Sequence, residues 1–200
     1  MNEKYILVGS GGHSKVIYEL ACKCNIDVSC ISNRHGSSEI PNYHHNSNLK
    51  LLTDDEVFTQ YSPESTKILL GIGHMPNDHK RQEIYLTYKE KGYKFPVLIH
   101  PSAIVPKDAD LYEGCQIMSG VILQPDVTIG ENTIINTGSS IDHHVTIGDY
   151  SHVAPGVTIC GHTSIGSGVF IGAGTTIINN IRIEHDTIIN AGTTITEDIR

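Results

Sequence analysis

Four of the histidines in the second half of the chain are the side chains best suited to chemistry. His143 and His144 are adjacent and follow Asp142, and His152 and His162 lie further along. An imidazole that titrates near neutral pH can take a proton from an attacking amine or hydroxyl, so this group could contain a general base. Imidazoles also bind Zn²⁺, so metal binding by these histidines is a second interpretation. The third is a set of solvated turn residues without a chemical role.

A glycine-rich segment near the N-terminus, Gly-Ser-Gly-Gly-His at 9–13, is the second candidate site. It follows a short apolar run and precedes an apolar helical stretch, so its backbone N–H groups would receive phosphate oxygens at a helix N-terminus. The dinucleotide fingerprint is incomplete, because Ser14 replaces the third glycine and Asn33 and Arg34 stand where an acid would bind the ribose of NAD. We therefore expect one nucleotide diphosphate rather than NAD, with a tight turn without ligand as the alternative. Gly73, after another predicted strand, is either a second wall of this site or an ordinary strand-end glycine.

The histidines lie in a region that repeats every six residues. Every sixth residue from Ile99 to Ile195 is aliphatic, which makes 17 consecutive hexads. A helix of period 3.6 cannot keep every sixth residue on one face. Short strands that turn every six residues can, and this period is typical of a parallel β-helix, in which three hexads form a triangular coil of 18 residues. His143 and His144 are then predicted to point outward at a turn, and His162, 18 residues after His144, to stack on it.

His152 belongs to a different column of the predicted coils. Its neighbours one coil away are Ile134 and Phe170, and Ile188 follows one coil later. An outward apolar column on such a prism indicates a contact between subunits or an apolar groove for a cofactor.

The first half of the chain has the pattern of a compact α/β unit. The predicted elements are strands at 5–8, 28–31, 67–73 and 95–99, and helices at 16–21, at 77–91 and after the capping-box sequence 53–56. Strands that alternate with helices predict a parallel sheet, here a Rossmann-like half-domain. The polar stretch 32–48 is predicted to be a mobile loop. We therefore expect an α/β domain at 1–98 and a β-helix at 99–200.

Charge supports this boundary and excludes several classes of protein. Residues 1–98 carry 11 basic and 11 acidic side chains and residues 99–200 carry 3 and 11, so the net charge of −8 lies entirely in the second domain. An acidic chain is a poor non-specific binder of nucleic acid. No apolar run is long enough to span a bilayer, and the N-terminus lacks the features of a signal peptide. With five cysteines and no CxxC spacing, we expect free thiols, a cytoplasmic location and no membrane insertion.

The hexads resemble those of the left-handed β-helix (hexapeptide-repeat) acyltransferases. The glycine-rich segment, Gly71-Ile72-Gly73 and residues 140–156 are similar to a narrower branch, which contains the UDP-4-amino-sugar N-acetyltransferases and the sialic acid O-acetyltransferases. The resemblance covers essentially the whole chain. It implies a left-handed parallel β-helix, a homotrimer, acetyl-CoA in the groove between adjacent prisms, and a nucleotide sugar held by the N-terminal domain.

The resemblance also implies roles for individual residues. It makes His143 the catalytic base, His152 a contact of acetyl-CoA, and Ala173 and Ala191 backbone positions along the same groove. The implied nucleotide-sugar contacts are Gly11, Gly12, His13, Asn33 and Gly73.

The residue after the base departs from the family pattern. Relatives commonly carry an acid there, which raises the basicity of the imidazole, whereas this chain has His144. As a cation, His144 would lower that basicity. Asp142, or an acid from another subunit, is the expected substitute.

The combined expectation is an acetyl-CoA-dependent N-acetyltransferase that acts on a nucleotide-linked 4-amino sugar in bacterial surface glycan biosynthesis and needs no metal. O-acetylation of a sialic-acid-type sugar is the first alternative. A zinc protein similar to the γ-carbonic anhydrases and a non-catalytic scaffold are the others.

Overall fold

The computed structural model describes residues 3–34 and 49–200 and divides into two compact units. The first unit ends at residue 96, and the second comprises residues 74–77 and 97–200. The boundary expected at 98/99 therefore falls two residues after this division, and the place of residues 74–77 was not expected. Most of the loop predicted at 32–48 lies outside the described residues.

The first unit is an α/β half-domain with a parallel sheet, as the sequence predicts. Its strands are ordered β3-β2-β1-β4, and all three strand pairs are parallel. Ile17 and Leu20 on α1 are buried together with the apolar residues of the central strands. Its elements are β1 (Lys4–Val8), α1 (Gly12–Lys23), β2 (Val28–Ser32), β3 (Lys50–Leu52), α2 (Asp54–Gln60), β4 (Thr66–Leu70) and α3 (Lys80–Glu90), with a 3-10 turn at Pro63–Ser65.

Three details of this unit differ from the sequence prediction. Strand β3 was not predicted, and β4 ends at Leu70 rather than Gly73. The strand predicted at 95–99 does not join this sheet: Lys94 makes one isolated bridge with Lys67, and only residues 98–99 form a strand, which belongs to the second unit. Pro96 has no N–H to continue a ladder. Helix α1 begins at Gly12, so the glycine-rich segment supplies its first turn.

The second unit is the predicted left-handed parallel β-helix. Its strands are two residues long and pair with the strand one coil away, so that Ile135, for example, lies beside Val153 and Ile171 follows. They form three sheets, ordered β19-β16-β13-β10-β7-β5, β20-β17-β14-β11-β8 and β18-β15-β12-β9-β6. The strands are β5 (Leu98–Ile99), β6 (Asp110–Leu111), β7 (Gln116–Ile117), β8 (Ile122–Leu123), β9 (Thr128–Ile129), β10 (Ile134–Ile135), β11 (Ser140–Ile141), β12 (Thr146–Ile147), β13 (His152–Val153), β14 (Thr158–Ile159), β15 (Ser164–Ile165), β16 (Phe170–Ile171), β17 (Thr176–Ile177), β18 (Arg182–Ile183), β19 (Ile188–Ile189) and β20 (Thr194–Ile195).

The interior of the β-helix is aliphatic, with small hydroxyl residues beside the turns. The hexad aliphatics from Ile117 to Ile195 are buried, which confirms the predicted core. The Ser139 hydroxyl donates to the carbonyl of Ala154 at 3.0 Å, and the Thr175 hydroxyl donates to that of Asn190 at 3.1 Å. These bonds satisfy polar groups that burial would otherwise penalise.

The corners of the prism use a left-handed backbone conformation. Every sixth residue from Gly114 to Gly192 has a positive φ, a region in which glycine is unstrained and Asn, Asp and His are enriched among other residues. Because a coil has 18 residues, these positions form three columns. We call two of them the histidine corner (Asp126, His144, His162 and Asn180) and the glycine corner (Gly120, Gly138, Gly156, Gly174 and Gly192).

Candidate functional site

The histidine corner brings three imidazoles together on the surface of the β-helix. The rings of His144 and His162 stack, with centroids 4.6 Å apart and planes inclined by 23°. The ring of His143 is edge-on to both, with centroids 5.1 Å away. All three side chains are exposed. The outward orientation and the stack predicted from the 18-residue spacing are therefore confirmed.

The ring of His143 is held through one of its two nitrogens. Its Nδ1 lies 3.0 Å from Nδ1 of His144, so one nitrogen carries a proton and the other accepts it. Its Nε2 has no hydrogen-bond partner among the residues that the structure describes. The imidazole is therefore anchored on one side and available on the other.

The acids near this pair make contacts that the sequence did not suggest. The Asp142 carboxylate accepts a hydrogen bond from the backbone N–H of His143 at 2.8 Å, so its observed contact is with the main chain. Asp126 reaches a ring instead: its Oδ2 lies 3.5 Å from Nε2 of His144. Sequence reasoning missed Asp126, although its spacing of 18 residues from His144 places it in the same corner.

Gly161 supports the ring of His143 from the next coil. A Cβ atom built on Gly161 would lie 2.7 Å from Cε1 and 3.0 Å from Nε2 of His143. A side chain at this position would therefore push against the ring. Sequence reasoning also missed Gly161, and the signal was again the spacing of 18 residues from His143.

The three histidines are also the described residues whose spacing comes closest to that of metal ligands. One nitrogen from each lies within 4.8 Å of the others, and His152 is not part of this group. A zinc ion bound by imidazole lies about 2.0 Å from the nitrogen, close to the ring plane. The ring planes of His144 and His162 are separated by 4.6 Å and inclined by only 23°, so they do not meet at that distance. One ion could bind both rings only after they rotate.

His152 is engaged within the β-helix unit rather than exposed on it. The N–H of Thr137 donates to Asn136 Oδ1 at 2.8 Å, which turns the amide NH₂ of Asn136 toward His152 Nε2, 3.2 Å away. Nε2 must then accept, and Nδ1–H donates to the carbonyl of His74 at 2.9 Å. Only 9% of His152 is exposed, so both ring nitrogens and most of the surface are used by this chain.

The column that contains His152 is correspondingly less open than expected. Ile134 is fully buried, and Phe170 is half-buried against the ring of His74, with centroids 6.1 Å apart. Ile188 is 44% exposed. The expectation of an open apolar column is wrong for the first two positions, because residues of this chain, including His74 at His152, already cover them.

Ala173 and Ala191 lie on the glycine corner, where the backbone is accessible. Each is exposed and directly precedes a corner glycine. Cβ atoms built on four of the corner glycines would meet no atom within 4 Å; they are Gly138, Gly156, Gly174 and Gly192. This corner is therefore an open strip of peptide groups, which suits an extended ligand that carries amides of its own.

In the first unit, the glycine-rich segment forms the N-terminus of α1. Gly11 is the N-cap residue, and no side chain caps the helix, so its first N–H groups have no partner within the helix. Cβ atoms built on Gly11 and Gly12 would meet nothing within 4 Å. The space in front of these N–H groups is therefore open to an anion.

The other predicted sugar-site residues lie beside this segment. A Cβ atom on Gly73 would be 3.6 Å from Cβ of His13. The side-chain amide of Asn33 donates to the Ser10 hydroxyl at 2.8 Å, which ties the end of β2 to the loop after β1. The structure therefore brings all five predicted residues into one region of the first unit.

A cleft of about 230 Å³ opens next to Gly9 and Asn33. Two of its walls are basic, Arg34 after β2 and Lys80 at the start of α3, and sequence reasoning missed Lys80. Asp54 forms part of another wall and is held in place, because it accepts hydrogen bonds from the hydroxyls of Ser32 and Tyr88 at 2.6 and 2.7 Å. Burial raises the pKa of Tyr88, so its hydroxyl stays a donor.

Two family models match the chain. The model described as bacterial transferase hexapeptide (six repeats) matches residues 112–143, 126–161 and 162–197. The model described as PglD N-terminal domain matches residues 4–87. Together they span most of the sequence, so the chain belongs to the hexapeptide-repeat bacterial transferases that carry a PglD-type N-terminal domain. No curated protein gave a match.

Solved structures with the same two-part architecture are similar to the whole chain. One is perosamine N-acetyltransferase from Caulobacter crescentus, as a variant with one histidine replaced by asparagine, in complex with CoA and GDP-perosamine. It is 27% identical, the match covers 98% of this chain and 90% of that chain, and the TM-score is 0.87. Another is the acetyltransferase domain of PglB from Neisseria gonorrhoeae in complex with acetyl coenzyme A, at 27% identity, 100% and 93% coverage and a TM-score of 0.86. WeeI from Acinetobacter baumannii shares the fold, with 16% identity, 96% coverage of each chain and a TM-score of 0.64.

None of the helices in the described ranges has the length and apolar character needed to cross a bilayer.

Proposed function

We propose that this protein transfers the acetyl group of acetyl-CoA to the amino group of a nucleotide-linked sugar. Membership of the transferase family supports group transfer. The Caulobacter relative, whose complex contains CoA and GDP-perosamine, is an N-acetyltransferase, and this favours N-acetylation over O-acetylation of a sialic-acid-type sugar. A second relative is an acetyltransferase domain with bound acetyl coenzyme A. The proposal includes a role in bacterial surface glycan synthesis and, because acetyl-CoA is a cytoplasmic metabolite, a cytoplasmic location.

His143 is the general base in this proposal. Its Nε2 takes a proton from the amine as the nitrogen attacks the thioester carbonyl, and a tetrahedral intermediate forms. The intermediate collapses with cleavage of the C–S bond, and the sulfur of CoA leaves with the proton that His143 returns. No covalent intermediate on the protein is needed.

The observation that carries this assignment is the environment of His143. Its Nδ1 is engaged by His144 while its exposed Nε2 is available. A solvated turn histidine would not need this anchoring, nor a glycine backbone that makes room for its ring.

The two substrates are assigned to different units. The open N-terminus of α1, with Gly11 and Gly12, receives a phosphate, and the cations Arg34 and Lys80 of the neighbouring cleft suit the negative charge of a nucleoside diphosphate. Acetyl-CoA lies along the glycine corner beside Ala173 and Ala191. His152 acts there by holding the segment that begins at His74. A homotrimer is part of the proposal.

An acetyl-transfer assay with a panel of nucleotide-linked sugars tests the proposal. The purified protein is mixed with acetyl-CoA and GDP-, UDP- or dTDP-linked 4-amino sugars, and products are analysed by mass spectrometry. We expect one acetyl group on the sugar nitrogen of at least one substrate, and no product from the matching 4-hydroxy sugars. Acetylation of only hydroxy sugars would favour the O-acetyltransferase alternative, and activity that is lost on chelation and restored by zinc would favour the zinc protein.

A further inference from the structure

We propose that Asp126 is a positioning residue that acts through His144 to keep the proton-accepting nitrogen of His143 unprotonated. The inference rests on the proposed function of His143 as the base. It starts from three atoms in contact: Asp126 Oδ2 lies 3.5 Å from His144 Nε2, and His144 Nδ1 lies 3.0 Å from His143 Nδ1. Carboxylate, first ring and second ring thus form a chain that ends at the exposed Nε2 of His143.

The donor and acceptor roles along this chain follow from its first member. An ionised carboxylate can only accept hydrogen bonds, so the proton of a neutral His144 is favoured on Nε2, which faces Asp126. Nδ1 of His144 then has only a lone pair and must accept. The facing Nδ1 of His143 therefore carries the proton, which leaves Nε2 of His143 with the lone pair that a general base requires.

The chain works only while His144 is neutral. A doubly protonated His144 would donate from Nδ1, so His143 would accept there and carry its own proton on Nε2, where it cannot act as a base. The groups that face the His144 ring are Asp126, His143 and His162. Asp126 and His144 are more than half exposed at the side chain, so solvent weakens the attraction of the carboxylate for a cation, whereas the selection of a tautomer depends on contact geometry.

The fold holds the first two members of the chain in register. Asp126 and His144 occupy consecutive positions of the histidine corner, with φ angles of 61° each, and the ring of His162 stacks on the opposite side of the contact with His143. Once His143 has accepted a proton, its Nδ1–H still donates to His144, and the charge of Asp126 favours the cation. No proton has to pass to Asp126, as in hydrolytic triads where an acid orients a histidine.

Nitrogen-15 NMR of the histidine rings tests the inference without any substrate. We expect the wild-type protein, at a pH where the imidazoles are neutral, to carry the proton of His143 on Nδ1 and that of His144 on Nε2. Asp126→Asn should remove this preference in both rings, because an amide can donate as well as accept. Asp186→Asn makes the same change at another corner with a left-handed backbone and should have no effect on the rings. A proton on Nε2 of His143 in the wild-type protein would overturn the inference.

Kinetics of four variants provide the second test. The Oδ1 of Asp or Asn at position 144 is bonded to Cγ, as Nδ1 of histidine is, and both residues tolerate the left-handed backbone there. Asp126→Asn should lower kcat by about tenfold or more with little change in KM. His144→Asp supplies a carboxylate directly to His143, so it should exceed His144→Asn in kcat, and adding Asp126→Asn to it should lower kcat much less than in the wild-type background. Equal effects of Asp126→Asn in both backgrounds, or no effect in the wild type, would overturn the positioning role.

The two tests separate this inference from the proposed function. If the tautomers are as expected but no sugar is acetylated, the proposed function fails and the assignment of the chain stands. If acetyl transfer is normal in His143→Ala, the base has been assigned wrongly.

Discussion

The ring of His143 lies against the backbone of Gly161, which occupies the same position of the hexad one coil later. The contact is close enough that a single added carbon would lie 2.7 Å from Cε1 of the ring. The orientation of the proposed base therefore depends on the absence of a side chain at a residue that has no reactive group.

Gly161→Ala should displace the ring of His143 and lower kcat by about tenfold, since small shifts of a catalytic group are costly, while KM for both substrates changes little. The substitution is suitable because Gly161 does not have a positive φ. Steady-state kinetics measure the effect. The control is thermal unfolding in two backgrounds: Gly161→Ala should lower the midpoint more in the wild type than in His143→Ala, where no ring remains to clash. An equal loss in both backgrounds would show that the ring does not cause it.

His143→Ala should lose acetyl transfer by a factor of about 10²–10⁴, the usual contribution of a general base. Because the side chain is exposed, the free energy of unfolding should change by no more than about 0.5 kcal/mol. The two quantities are measured separately, by turnover and by denaturant titration. Near-normal turnover of a confirmed substrate would remove His143 from the mechanism.

Gly11→Val should weaken binding of the nucleotide sugar without disturbing the fold. Gly11 has φ −87°, and a Cβ atom there meets no other atom, so valine fits the protein but occupies the space in front of the helix N–H groups. Titration calorimetry should show a lower affinity for the nucleotide sugar and an unchanged affinity for acetyl-CoA. An unchanged affinity for both would identify the segment as a turn without a ligand.

Cys115 should resist alkylation in the folded protein. Burial raises the pKa of its thiol to about 12, and the thiolate is the reactive form, so almost none is present near pH 8. Cys22 and Cys160 are half-buried and should react first with iodoacetamide. Peptide mass spectrometry with and without denaturant measures this order. Labelling of Cys115 as fast as of Cys22 under native conditions would contradict it.

The protein should be a trimer at micromolar concentration, as measured by light scattering. Ile188 marks the exposed end of the His152 column, and Ile188→Glu distinguishes the two roles expected for that column. Dissociation into monomers would identify a subunit contact, and weaker acetyl-CoA binding in an intact trimer would identify the cofactor groove. A stable wild-type monomer would contradict the trimer.

The sequence predicts the β-helix well because its period is exposed at every sixth residue. The stack of His144 on His162 follows from that period alone. The same arithmetic places Asp126 below His144, but the search for an acid was directed to Asp142, the neighbour in sequence, whose carboxylate contacts the backbone instead.

Other features had no local signal in the sequence. The bond between His152 and the carbonyl of His74 joins residues 78 apart, and no repeat relates them. Strand β3 has only three residues, too few to show an alternation of apolar and polar side chains. Such contacts depend on how the chain packs, so they become visible only in the structure.

The repeated left-handed corners have a consequence for how this protein can change in evolution. Each coil contacts only its neighbours, so the gain or loss of a whole coil beyond Asn180 alters the length of the prism and leaves Asp126, His143 and His144 aligned. One residue inserted between Asp126 and His144 would instead carry the acid out of the column and separate it from the imidazole. Length can therefore drift in whole coils, whereas the interval of one coil between acid and ring is under selection at single-residue resolution.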